Sequence, residues 1–325
     1  MLALYVPRGT SLERLPITST NDVPDNAVWI DLVSPTHAED KLVEGMLGIA
    51  VPTREEMQEI EVSSRLYTEN GARYMTATLM CQSDTDQPKT APVTFILAAH
   101  RLVTVRYDDP KPFTIVTSKL ARHCPLTVSG ETVFMDLLDA VIDRAADILE
   151  RNAAEVDVVS HQIFEPTERR ANRARTYNHI MRTIGRHGDL TSKVRESLVS
   201  IGRLVLFLAN EADGMKWPKE LRAQLKVMQR DVQSLSDHST YLSNKITFLL
   251  DATLGMVSIE QNNIIKIFSV ASVALTPPIL IASIYGMNFR HMPELDVPWA
   301  YPAVLMLMVV AAVLPYLYFK WRRWL

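Results

Sequence analysis

Cysteine is nearly absent from this chain: Cys81 and Cys124 are the only two, and they form no CxxC pair. A disulfide framework is therefore not expected, and a reducing cytosol fits. Excess charge of either sign is lacking as well. Against 34 Lys and Arg stand 37 Asp and Glu, a net charge of -3 that carries neither a basic signature for nucleic acid nor an acidic tail. The first ten residues, MLALYVPRGT, have no basic start followed by an apolar core of signal-peptide length, so the part ahead of any membrane segment is expected to stay in the cytoplasm. Enzyme signatures are missing: no GxSxG, P-loop, HExxH or GxGxxG occurs, and neither an enzyme nor an organic cofactor is expected. There is no internal repeat and no low-complexity segment.

Other features that could suggest chemistry are better read as solvated surface. The eight histidines are scattered, and His179 with His187, the nearest thing to a pair, read as solvated helix positions. The run RRANRAR at 169–175 has no interleaved aromatics to stack bases, so it reads as a solvated helix face and no nucleic-acid partner is expected.

What the chain does have is two long apolar runs near its end. Residues 267–287 (IFSVASVALTPPILIASIYGM) and 297–319 (VPWAYPAVLMLMVVAAVLPYLYF) contain no charged residue. Each matches the roughly 20 residues that cross about 30 Å of hydrocarbon as a helix. The competing reading is a pair of buried core helices, which rarely run this long without a polar face. Lys266 precedes the first run, and Lys320, Arg322 and Arg323 follow the second; the segment between holds one arginine against Glu294 and Asp296. The positive-inside rule then puts both termini in the cytoplasm and the short loop outside, with membrane lipids as partners of the two spans. Trp299, Tyr301, Tyr316, Tyr318, Trp321 and Trp324 sit near the two ends of the second run, as interfacial aromatics do.

Two helices cannot enclose an aqueous path, so a pore needs several copies around a symmetry axis. Polarity suggests which run would line it. Asn262, Ile265, Ser269, Ser272, Thr276 and Ser283 follow one another at steps of 3, 4 or 7, close to one face, while the second run is almost entirely aliphatic and aromatic. The alternative is that these hydroxyls bond back to their own helix. Pro277 and Pro278 are expected to disturb the helix and free carbonyls.

The preceding part reads as mixed α and β, with strands at 2–6, 28–32, 73–80, 92–97 and 101–107. Thr53 and Glu56 form a capping box expected to open a helix through 61, and turn residues cluster at 83–88 and 108–112. Beyond about 130 the character changes to long helices: one from 131 to 163, two more at 171–186 and 190–210, and a last one from near Trp217-Pro218 with no clear breaker before Pro277. Gly255 is the only glycine inside that last stretch, a cost of about 1 kcal/mol relative to Ala. Asp84 and Asp86 in a turn, and Asp231 and Asp237 on the last helix, are candidate divalent-cation ligands.

YGMNF at 285–289, at the outer end of the first of two terminal runs and followed by MPEL at 292–295, resembles the CorA family of magnesium transporters. The likeness extends through IEQNNIIKIFSVASV (259–273), PYLYFKWRRWL at the end, TREEMQEIEVSSRLY (53–67) and AVWIDLVSP (27–35). The related zinc-transporting branch typically departs from GMN here. The resemblance implies an α/β cytoplasmic domain with long helices running into a two-helix transmembrane region, assembled as a funnel-shaped homopentamer in the plasma (inner) membrane. By position it implies a cytoplasmic α/β domain at 1–130, a long-helix region and stalk at 131–263, a pore-lining span at 264–287, an external loop at 288–296, a second span at 297–319 and a basic tail at 320–325. Gly286, Met287 and Asn288 would form the selectivity motif, with Asn262, Ile265, Phe268, Ser272, Thr276 and Ile279 lining the pore; the resemblance prefers Phe268 where the polar stripe prefers Ser269. Glu294 and Asp296 would attract cations at the mouth, and Asp84, Asp86, Asp231 and Asp237 would hold regulatory Mg2+ between subunits. The Asp231 region lies closer to the membrane run than the family pattern suggests. The implied function is Mg2+ influx down its gradient. The alternatives are the same fold carrying Co2+, Ni2+ or Zn2+, or a membrane-anchored scaffold that conducts nothing.

Overall fold

A computed structural model describes the chain apart from residues 17–23, 25, 86, 125–127, 166–172, 213, 215–216, 289–291, 293–296 and 323–325. Among the described residues seven strands and seven α-helices follow in chain order: β1 (Leu2–Arg8), β2 (Ser11–Pro16), β3 (Trp29–Val33), α1 (His37–Leu47), α2 (Val62–Arg65), β4 (Leu66–Glu69), β5 (Ala72–Cys81), β6 (Lys89–Ala98), β7 (Arg101–Arg106), α3 (Lys111–Arg122), α4 (Gly130–Phe164), α5 (Arg173–Glu211), α6 (Lys219–Tyr285) and α7 (Ala300–Trp321). These divide into two compact units, one of Met1–Thr167 with His179–Leu249 and the other of Glu168–Asn178 with Leu250–Leu325.

In the first unit a mixed sheet runs in the order β2-β1-β3-β7-β6-β5-β4, antiparallel except for the β3–β7 pair. Each of the five predicted strands is present. The sequence reading missed β2 and β4, short edge strands whose single exposed face gives no continuous apolar run. It also missed α1 and α3. The first is opened by a reciprocal capping box between Thr36 and Glu39, and the second carries Pro112 in its first turn. One sheet face packs Ile30, Leu32, Val103 and Val105 beneath Val43, Ile49 and Met57. On the other, Phe95 stacks against Phe113 of α3 and meets Phe134 of α4 at a tilt. Within that core, Arg106 donates to both oxygens of Asp31, whose Oδ1 also accepts from Thr104 at 2.7 Å. The pair is buried but fully hydrogen-bonded, which a buried charge requires.

The capping box at Thr53 forms, with reciprocal bonds of 2.8 and 3.3 Å to Glu56, yet it opens only a 3-10 turn, Glu56–Gln58, and not a helix through 61. On a helix Glu59 would stand three and four residues from the like charges of Glu56 and Glu55, and only Met57 supplies a buried apolar anchor. A second correction concerns 171–186 and 190–210, which are one helix, α5. His187, Gly188 and Asp189 look like a break. Gly188 instead lies where a Cβ would meet Ile246 of α6 at 3.6 Å, and Asp189 is held by Lys193 one turn on at 2.7 Å. A single glycine costs a helix only about 1 kcal/mol relative to Ala, which the packing of the rest of α5 outweighs.

Helices α4, α5 and the first part of α6 pack together. Gly202 brings α5 against Val232 of α6, where an added Cβ would lie at 3.3 Å, and Phe164 of α4 stacks on Phe248 of α6. Ser200 of α5 accepts the Thr78 backbone N–H at 2.9 Å, tying the helices to β5. Gly130 opens α4 so close to the β6–β7 turn that a Cβ would sit 2.4 Å from the Leu102 nitrogen. Only glycine fits there.

Candidate functional site

The second unit contains the end of α6 and all of α7, and both helices are long and apolar enough to cross a membrane. Their side chains are not the interior of a soluble core: the apolar window of α6 is 6% buried and that of α7 0%. Trp299, Tyr301 and Trp321 sit at the two ends of α7 and are exposed, and the Arg322 guanidinium lies 5.9 Å from the centre of the Tyr318 ring. Trp324 lies outside the described residues.

Helix α6 is continuous for 67 residues, so at about 100° per residue the positions of its pore-facing candidates follow from their numbers. Asn262, Ile265, Phe268, Ser272, Thr276 and Ile279 fall within an arc of about 120°. Ser269 and Ser283 share that arc, so the polar stripe and Phe268 belong to one face and do not exclude each other. All are exposed in the single chain, Ile265 at 61%, Phe268 at 69% and Ile279 at 62%.

Pro277 and Pro278 lie inside α6 without ending it. Lacking N–H groups, they cannot bond the carbonyls of Val273 and Ala274 four residues earlier. Thr276 Oγ1 donates to the Ser272 carbonyl at 2.7 Å, so this hydroxyl does bond back to its own helix. The helix stops at Tyr285. Gly286 N–H still reaches the Ala282 carbonyl at 3.0 Å, and Met287 N–H reaches Ile284 at 3.2 Å, which closes the last turn. A Cβ on Gly286 would lie 3.2 Å from the Ala282 oxygen, a tight approach that glycine avoids. Asn288 follows directly and is exposed. It therefore stands beside the negative end of the α6 dipole, where cations are favoured. Glu294 and Asp296 lie outside the described residues.

The candidate regulatory acids belong to the first unit. Asp84, in the β5–β6 connection, accepts from Arg144 at 2.6 Å, Arg151 at 2.8 Å and Lys111. The Lys111 hydrogen bond above all, with Arg151 and Arg144, holds its carboxyl well below the usual carboxylate range. Asp86 lies outside the described residues. Asp231 and Asp237 are exposed on α6, and Asp237 accepts from Gln233 at 3.0 Å. Partial burial, then the charges of Asp143, Asp136 and Asp231, push the Asp139 carboxyl of α4 up. Among the described residues, no group of three or more His, Cys, Asp or Glu side chains is placed to hold a metal within one chain. The three cations around Asp84 were missed in the sequence; their only trace is Arg144 and Arg151 seven residues apart on α4.

His179 is exposed as expected, but His187 is 8% exposed and not solvated. Its Nδ1 lies 2.6 Å from Asn152 Oδ1, and Asn152 Nδ2 donates to Thr191 Oγ1 at 2.8 Å. Burial pushes its pKa down, against the pull of Glu155. This polar cluster locks α4 to α5, a role invisible without knowing that the two helices pack.

An α/β domain joined through long helices to two apolar helices, with GMN at the end of the first, defines a class of two-span membrane proteins. Comparison with known proteins agrees. Residues 24–322 match the family model described as CorA-like Mg2+ transporter protein. The magnesium transport protein CorA of Yersinia pseudotuberculosis is 32% identical over 325 residues, covering 100% of both chains. That of Pasteurella multocida is 33% identical over 307 residues, covering 94% of this chain and 95% of its own. The complete CorA structure from Methanocaldococcus jannaschii superposes with a TM-score of 0.77 at 19% identity, over 98% of this chain and 97% of that one, and shares the fold. The chain belongs to the CorA family.

Proposed function

We propose that this chain is one subunit of a homopentameric magnesium channel of the plasma (inner) membrane, with both termini cytoplasmic, residues 264–287 lining the pore and residues 297–319 facing lipid. Family membership, relatives named for magnesium transport, and the position of Asn288 just past the C-terminal end of α6 support this reading; the Asn288 position carries it. Mg2+ demands octahedral oxygen coordination and gives up its waters reluctantly. A ring of Asn288 amide oxygens holds the hydrated ion through those waters, helped by the dipole ends of the surrounding helices. Being neutral, the ring attracts the ion without trapping it. Glu294 and Asp296 raise the cation concentration at the mouth.

Transport needs no fuel beyond the membrane potential: two charges crossing about 100 mV gain about 4.6 kcal/mol. Below the mouth, Ser272, Thr276 and the carbonyls freed by Pro277 and Pro278 offer oxygen to the hydrated ion. Ile265 and Phe268 form an apolar constriction that closes by dewetting. Because α6 is one helix from the soluble unit into the membrane, occupancy of inter-subunit sites involving Asp84, Asp86, Asp231 and Asp237 biases the constriction, and loss of cytoplasmic Mg2+ loosens the subunits and opens it.

The test is Mg2+ uptake into liposomes under an inside-negative potential, wild type against Asn288→Ala. Uptake that disappears in the variant while the oligomer stays intact supports the ring. Equal uptake in both removes the selectivity role of Asn288, and none in either, with folded and inserted protein, removes the channel.

A further inference from the structure

Beside β5 and α5 the soluble unit carries a cleft of about 510 Å3 that the ion pathway does not use. One face of α5 lines it, with Arg195, Glu196, Val199, Ser200 and Arg203 recurring at helical spacing; Arg65 and the strand hydroxyls of Thr76 and Thr78 close the other side. Arg65 is partly buried; its Nη1 donates to Thr78 Oγ1 at 3.1 Å and its Nε to the Glu59 carbonyl, which fixes the guanidinium at the cleft wall. The three arginines face one acid, Glu196, and none of them makes an ion pair there within 4.0 Å among the described residues. Burial first pushes the Arg65 pKa down, against the pull of Glu196 and with a smaller push from Arg203. The cleft of about 540 Å3 between the β5–β6 connection and α4–α5 differs: its Arg151 is already taken by Asp84 and the Ser83 carbonyl.

A cleft with surplus guanidinium charge and lining hydroxyls selects an anion, and arginine forks suit phosphate. The apolar rim narrows the choice. Ile60 is 86% exposed, Val62 45% and Val199 40%, an apolar shelf beside the arginines that a bare phosphate would leave uncovered. The volume falls within the range of small-molecule sites. We propose that this cleft is a binding site for a nucleotide, its phosphates on Arg65, Arg195 and Arg203 and its base on the Ile60–Val62–Val199 shelf.

The experiment is equilibrium binding of ATP, with EDTA present, to the full-length protein in detergent. It compares wild type, the double variant Arg195→Gln with Arg203→Gln, and Arg122→Gln as a control at an exposed arginine elsewhere. Inorganic phosphate serves as a competing probe. Both cleft substitutions are at exposed positions and leave the core intact. The expected result is saturable binding at one ATP per chain, weakened at least about tenfold in the double variant and unchanged in the control, with phosphate displacing ATP only at much higher concentration. Absence of saturable binding, equal affinity in the double variant, or phosphate competing as well as ATP itself would overturn the proposal.

Discussion

Arg144 Nη2 lies 2.6 Å from Asp84 Oδ1, and Arg151 Nη1 lies 2.8 Å from the same oxygen. In a single chain the acid proposed as a regulatory ligand thus already serves as the anchor of a cation cluster that clips the β5–β6 connection to α4. A magnesium ion supplied from between subunits has to compete with two guanidiniums and Lys111.

Asp84→Asn is expected to do two separable things. As a regulatory ligand, its loss leaves uptake running at internal Mg2+ concentrations that close the wild type, measured in liposomes preloaded with Mg2+. As an anchor, its loss lowers the melting temperature. Its folded pKa is depressed, so the stabilisation is fully present above the unfolded value near 4 and declines as pH falls through that value toward the folded one. The gap between variant and wild type should therefore stay constant from about pH 8 to 5 and shrink only in stronger acid. A gap that closes around neutrality would assign the effect to another group.

The His187–Asn152 pair loses stability in the same direction, toward acid, but in a window nearer neutrality. Burial depresses the folded pKa of His187 below the unfolded value of about 6.5, so between the two the unfolded chain binds more protons. Stability from this group is complete above about pH 6.5 and is lost as pH falls toward the folded pKa. Melting curves across that window should show the acid-side loss in wild type and a smaller one in His187→Gln. Asn152→Ala, which leaves buried partners unpaired, should cost about 1–3 kcal/mol at neutral pH in chemical denaturation.

Gly130→Ala places a methyl group 2.4 Å from backbone nitrogen, and backbone in a sheet turn cannot step aside as a side-chain tip can. A loss of about 3 kcal/mol or failure to express is expected, whereas Gly255→Ala, with open space around it, should be neutral or stabilising. Comparable melting temperatures for the two would contradict the packing described at the start of α4.

Phe268→Ser replaces an apolar member of the proposed constriction with a hydroxyl on the same helical face. Dewetting then fails, and uptake at high internal Mg2+ should rise several-fold over wild type while Asn288-dependent selectivity is kept. Unchanged closure would move the constriction elsewhere along α6.

The sequence by itself determined the two apolar helices, the GMN segment between them, five of the seven strands and the change to long helices near residue 130. Each of these is a local property: a run without charge, a period of two or of 3.6, a motif at a helix end. It also placed Asn262 to Ile279 on one face, because α6 remains a helix and its geometry converts spacing into direction. Tertiary structure alone decided the rest. Whether His187-Gly188-Asp189 breaks a helix depended on packing of α5 against α4 and α6, where His187 is buried on Asn152. Whether Thr53 starts a helix depended on a single buried anchor, Met57, among four glutamates. Asp84 acquired its cations, and Arg65 its companions Arg195 and Arg203, only when separate segments packed together. Charge and burial are sums over neighbours in space, and periodicity along the chain does not contain them.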